Sequence, residues 1–196
     1  MPPARTFTEE ARRAQIVAAA IETIAEVGYG KASYARIARR AGLSSTGLIS
    51  YHFAGKSDLM AQVAGQTYEA IGKHMASRMA GVTTNAQALE AYIRGVVEFV
   101  AEHRREMKAL LEIFLNGGIE YTPGTELVTL SPVEEMLRAG QAAGEFREFD
   151  VRVMAAVIQR AVDGVPFLLE THPDLDLGAY ADELVTTFTL ATRSAS

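Results

Sequence analysis

"EVGYGKASYARIARRAGLSSTGLISYHFAGKSDL", Glu26 to Leu59, is the stretch whose reading decides the fold. It places two short helical runs on either side of a turn built from small and hydroxyl residues. Gly28 and Gly30 stop the helix before it, and Ser33 offers its side-chain oxygen as an N-cap to the next. That second helix carries Ile37, Ala38 and Ala41 and ends at Gly42. A third short helix follows the Ser44–Gly47 turn with Leu48, Ile49 and Tyr51. Ala38 is small enough for a second helix to cross closely, and Gly42, four residues on, tolerates a positive φ. Two short helices joined in this way form a helix-turn-helix when the second can lie in a major groove. Leu48, Ile49 and Phe53 suit the core of such a unit. Ser45, Thr46, Gly47, Ser50 and Tyr51 suit its outward face.

Helical spacing continues on both sides. Upstream, Ile16, Ala20, Ile24 and Val27 recur at three- and four-residue intervals, with Val17 and Ile21 widening the stripe. Downstream, a long helix begins near Lys56 and carries Leu59, Met60, Val63, Tyr68, Ile71 and Met75. Thr84 or Asn85 can cap a helix with Leu89, Tyr92, Ile93, Val96, Val97 and Val100. A turn near His103 leads to another with Met107, Leu110, Leu111, Phe114 and Leu115. Ser131-Pro132-Val133-Glu134 reads as a capping box that starts a helix ending near Gly144. Asp150 can cap the next, whose Val151, Met154, Ile158, Val162, Val165 and Leu169 form a stripe in which Pro166 should kink the helix or shift its register. Leu177, Ala181, Leu184, Phe188 and Ala191 mark the last. The expectation is an all-α protein of about nine helices. An N-terminal helix-turn-helix domain (1–56) is joined by a long helix to a C-terminal helical body (57–196).

Charge divides along the same line. Residues 1–56 hold eight Lys or Arg against four acids; the rest hold eleven against twenty. A basic head on an acidic body suggests that a polyanion meets one end of the chain. There is no cysteine among the 196 residues, which excludes disulfides and thiolate chemistry and fits a reducing cytoplasm. No signal peptide and no membrane-spanning apolar run is expected. Catalysis has no footing: His52, His74, His103 and His172 are scattered, with no metal-ligand spacing. Glu134-Glu135 and Asp182-Glu183 point to different helix faces, and no nucleophile–base pair is evident. No catalytic residue, cofactor or metal is expected.

Glu26 to Leu59 resembles the DNA-binding domain of the tetracycline-repressor (TetR) family of bacterial transcriptional regulators. The likeness rests on Gly-Tyr before a capping Ser, on Ile-Ala-x-x-Ala-Gly in the second helix, and on aromatic-Phe followed by x-x-Lys-x-x-Leu. The resemblance implies a homodimer that binds a palindromic operator on double-stranded DNA, represses, and is released by a small molecule bound to the C-terminal domain. This chain has one residue more than the family pattern between Ala-Gly and the Phe, within Ser44–Thr46. Ser50 then falls where many members place a phosphate-contacting Tyr.

The DNA-contact set expected on this basis is Ser33, Ser45, Thr46, Gly47, Ser50, Tyr51, His52 and Lys56. Hydroxyls can bond phosphates or base edges, and Gly47 allows close backbone approach. Ser44 suits simple capping equally well. His52 suits either a phosphate contact or packing beside Phe53. Lys56 falls where the family has a phosphate-binding lysine, and Arg36, Arg39 and Arg40 add to the field. In the body, Tyr68, Met75, Tyr92, Phe99, Met107, Phe114 and Met136 are candidates for lining an effector pocket, although each also suits an ordinary core. The stripes on the last two helices, with Ile158, Val162, Val165, Leu169, Leu184 and Phe188, could form a four-helix dimer interface or pack on their own body.

Overall fold

The stripe Ile16, Val17, Ala20, Ile21 and Ile24 makes one face of the first helix apolar, and that face is fully covered. Each buried isoleucine contributes about 1.5–3 kcal/mol through area removed from water. The helix it builds, α1 (Phe7–Val27), anchors the N-terminal half of a computed structural model that describes residues 7–119 and 123–194. A 3₁₀ turn (Tyr29–Lys31) leads to α2 (Tyr34–Arg40), α3 (Gly47–His52), α4 (Lys56–Arg78), α5 (Asn85–Glu102) and α6 (Arg104–Leu115). The chain continues through α7 (Pro123–Ala142), α8 (Val151–Asp163), α9 (Val165–Thr171) and α10 (Leu177–Thr192). The described residues contain no β-strand, only an isolated bridge between Phe146 and Arg193.

These elements form two compact units, residues 7–69 with 104–119 and residues 70–103 with 123–194. The first is centred on α1. Ile37, Ala38, Ile49, Phe53, Leu59, Met60 and Val63 close its core, together with Ala109 and Ile113 of α6. The unit therefore extends beyond segment 1–56, because α6 turns its apolar face to α1. Glu112 of α6 adds a polar tie, accepting the backbone N–H of Tyr29 at 2.9 Å.

The second unit is built around α5, which packs against α7, α8, α9 and α10. Leu89, Ile93, Val133, Leu137, Phe146, Ile158, Val162 and Phe188 form its core. "GEFREFD", Gly144 to Asp150, has a structural purpose here. Glu145 reaches the start of α5, accepting from Asn85 Nδ2 at 2.8 Å and from the Ala86 N–H at 3.0 Å. Those bonds, the one from Ala86 first, hold its carboxyl below the usual range. Phe146 lies so close to Gly140 that a β-carbon there would overlap its ring. Asp150 then caps α8 through the Val153 N–H at 3.0 Å.

Two local expectations are overturned. Ser131 is not an N-cap: α7 runs through it with Pro132 inside the helix. Leu130, Val133, Met136 and Leu137 are all buried on the same helix, and this packing overrides the local start signal. The stripe from Val151 to Leu169 is not one kinked helix. It breaks at Gly164, and Pro166 sits in the first turn of α9, where its missing N–H costs no hydrogen bond. With α8 and α9 counted together, the described residues hold the nine helices expected.

Candidate nucleic-acid interface

Ser33 caps α2 by accepting the Arg36 N–H at 3.4 Å, and α2 ends after two turns. The chain reverses at Gly42, whose φ of 64° is the left-handed conformation that a side chain disfavours. The Leu43 N–H returns to the Ala38 carbonyl at 2.9 Å and closes the turn. Helix α3 does not begin until Gly47, so the Ser44–Thr46 segment lies in the turn. Thr46 O accepts the Ile49 and Ser50 N–H groups, while the Thr46 side chain makes no capping bond.

A helix of six residues is too short to hold itself, and α3 is fixed by what it buries. Ile49 is fully covered and Phe53 is 2% exposed, while Leu48 is half-buried. The opposite face is open: Ser45, Thr46, Gly47 and Ser50 are exposed, and Tyr51 is 73% exposed. Among the described residues, the hydroxyls of Ser44, Ser45, Thr46, Ser50 and Tyr51 have no hydrogen-bond partner within the chain. His52 is half-buried, with its ring edge-on to Tyr51 at 5.0 Å.

Lys56 is less free than its place in the sequence suggests. Its Nζ donates to the Tyr29 carbonyl at 3.1 Å and sits 3.8 Å above the centre of the Tyr29 ring. An ammonium carries three donors, so this tether orients it while leaving capacity for a phosphate. On α2, Arg40 pairs with Glu22 and Glu26 of α1. Arg36 and Arg39 stand exposed beside it.

The residues proposed for the body fare differently. The seven pocket candidates are divided between the units. Tyr68, Met107 and Phe114 lie in the first; Met75, Tyr92, Phe99 and Met136 lie in the second. Phe99 and Met136 are core. The Tyr92 hydroxyl donates to buried Gln159, which donates on to Asp163 Oδ1 at 2.8 Å. Burial pushes both the Tyr92 phenol and the Asp163 carboxyl upward. Four of the six dimer candidates, Ile158, Val162, Val165 and Phe188, are buried within their own unit. Leu169 and Leu184 are half-buried. A periodic apolar stripe marks the face a helix buries in its own body. The apolar side chains left outside are Val153 and Val157 on α8, Phe167 on α9 and Leu190 on α10.

Sequence reasoning passed over Arg13, Gln15 and Glu112, each of which bonds to an element far away in the chain. Nothing in their own neighbourhood announces such long-range partners.

The first unit thus presents a helix-turn-helix with an open, hydroxyl-rich second helix, the form of a DNA-reading domain. The family profile described as bacterial regulatory proteins, tetR family, matches residues 16–63. The regulator BetI of Cronobacter sakazakii, described as an HTH-type transcriptional regulator, is 30% identical over 177 residues, covering 82% of this chain and 84% of that protein. BetI 1 of Chromohalobacter salexigens is 38% identical over 101 residues, a stretch spanning about half of either chain (51% and 50%). Among solved structures, FadR from Bacillus subtilis in complex with stearoyl-CoA aligns with a TM-score of 0.77 at 24% identity. The match covers 90% of this chain and 97% of that one. The chain belongs to the tetR family of bacterial regulatory proteins; it is a transcriptional regulator, not an enzyme.

Proposed function

We propose that the protein is a homodimeric, cytoplasmic repressor that reads an inverted-repeat operator with α3 and releases it when a small molecule binds the C-terminal body. The observation that carries this reading is the front of α3: hydroxyls and a glycine, exposed and without partners inside the chain, on a helix pinned from behind by Ile49 and Phe53. Ser45, Thr46, Gly47, Ser50 and Tyr51 meet the groove, and Ser33, His52 and Lys56 meet the flanking phosphates. Segment 1–56 carries the reading head, and 57–196 carries effector binding and dimerisation.

The dimer forms through the outer faces of α8, α9 and α10, with Val153, Val157, Phe167 and Leu190 at the seam. Two copies of α3 then lie about 34 Å apart, one turn of B-DNA, or a multiple of it. An effector that favours a different separation of the reading heads lowers affinity without touching the DNA. The stearoyl-CoA held by the Bacillus FadR makes acyl-CoA thioesters a sensible first class to screen.

Selection from a random duplex library by the purified protein, followed by titration of the enriched sequence, tests the reading. The expected result is an enriched inverted repeat bound by a dimer. No enrichment at moderate salt, with the protein folded and free of ligand, overturns it.

A further inference from the structure

The two helices of the reading head both end on α1. The C-terminal carbonyls of a helix have no partner within it and must find one elsewhere. For α3, Arg13 Nη1 donates to the carbonyl of its last residue, His52. For α2, Gln15 Nε2 donates to the carbonyl of its C-cap, Ala41, at 2.7 Å. Gln15 is itself set in place by Arg12, which donates to its Oε1 at 2.8 Å. Arg13 does more than cap. Its guanidinium lies 4.2 Å from the centre of the Phe53 ring, the anchor of α3, and its Nη2 donates to Gln62 of α4 at 3.1 Å. One planar group therefore joins α1, the end of α3 and α4.

We infer that Arg13 and Gln15 are positioning residues that set the angle of α3 against α2, and thereby the selectivity of operator binding. The inference rests on the DNA-reading function proposed above. Neither residue needs to reach the DNA. Arg13 places a cation at the negative end of the α3 dipole and a flat surface over Phe53. Lysine could supply the charge but not the fork of two donors held in the plane of the stack. Gln15 holds the shorter arm. With both arms gone, Ile49 and Phe53 still bury α3, but the helix is free to roll about them.

The test compares the enriched operator with a scrambled duplex of equal length, each titrated over a range of salt. Arg13→Met is expected to weaken operator binding about tenfold, the equivalent of one charge-assisted hydrogen bond, and to leave the scrambled duplex nearly unchanged. Its salt slope on the operator should match that of the unsubstituted protein. Arg13→Lys should behave as Arg13→Met does, and Gln15→Leu should lose about threefold in discrimination by the same scale. An equal loss on both duplexes, with a slope lower by about one phosphate, would mean that Arg13 touches DNA directly and would overturn the inference. Full rescue by lysine, or a lowered Tm with discrimination intact, overturns it too. Should Arg13→Met fail to fold, Gln62→Leu and Gln15→Leu decide, since both sites are exposed; unchanged discrimination in both refutes the positioning role. A wild-type protein that enriches no duplex refutes the DNA-reading function itself. One that enriches an operator which Arg13→Met binds equally well refutes only the inference.

Discussion

Helices α3 and α8 are both amphipathic, and both bury isoleucine at 0% exposure, Ile49 in one and Ile158 in the other. Their outward faces differ. That of α3 carries Ser50 and Tyr51; that of α8 carries Val153 and Val157, 59% and 52% exposed. The buried faces tell how each unit folds and nothing about what it meets. The exposed faces separate a polar, hydroxyl-bearing surface from an apolar one.

The strongest way to break that comparison is at the two aromatic residues flanking His52. Phe53→Ala should cost about 3–5 kcal/mol of unfolding free energy in urea titrations, because it empties a sealed core site. Tyr51→Ala should change stability by less than about 0.5 kcal/mol while lowering operator affinity. Similar losses of stability at both positions would dissolve the distinction between front and back.

On α8 the same logic separates neighbours. Val157→Asp should convert dimer to monomer in sedimentation experiments with each unit still folded. Ile158→Ala should cost about 2–5 kcal/mol of stability and act on association only through folding. Gly140→Ala drives a methyl into the Phe146 ring and should cost about 1–3 kcal/mol in thermal or urea unfolding. Lys56→Ala should weaken binding to every duplex alike and reduce the salt slope by about one phosphate. An unchanged slope would leave Lys56 only its Tyr29 tether.

The smallest effect concerns Glu145. Its folded-state carboxyl is held below the ordinary range by the Ala86 N–H and then by Asn85. The stabilisation is therefore complete above the unfolded-state value and disappears as pH falls through the folded-state value. Glu145→Gln should flatten this acid limb in Tm against pH and leave the neutral-pH fold intact.

The helix-turn-helix was legible because its cues are local. A capping Ser33, a small Ala38, a Gly42 that takes positive φ and a buried Phe53 all fall within one short stretch of chain. The body was legible only as helices. Its capping box at Ser131 lost to packing along α7, and its apolar stripes named the buried faces of α8 and α10. The seven candidates for an effector pocket are divided between the two units, and residue type carries no information about which distant element lies opposite.

The sequence by itself determined the helical class, where the reading head lies, and which residues form its local turn and caps, since periodicity and turn chemistry are short-range properties. Only the tertiary structure decided which face of α8 stays open, that α6 joins the N-terminal unit, and that Arg13 and Gln15 reach across to the ends of α3 and α2. Those outcomes depend on pairings between residues some twenty-five to forty positions apart or more, Gln15 with Ala41 and Arg13 with His52 among them. Such pairings arise from the closing of the core as a whole, and no local pattern encodes them.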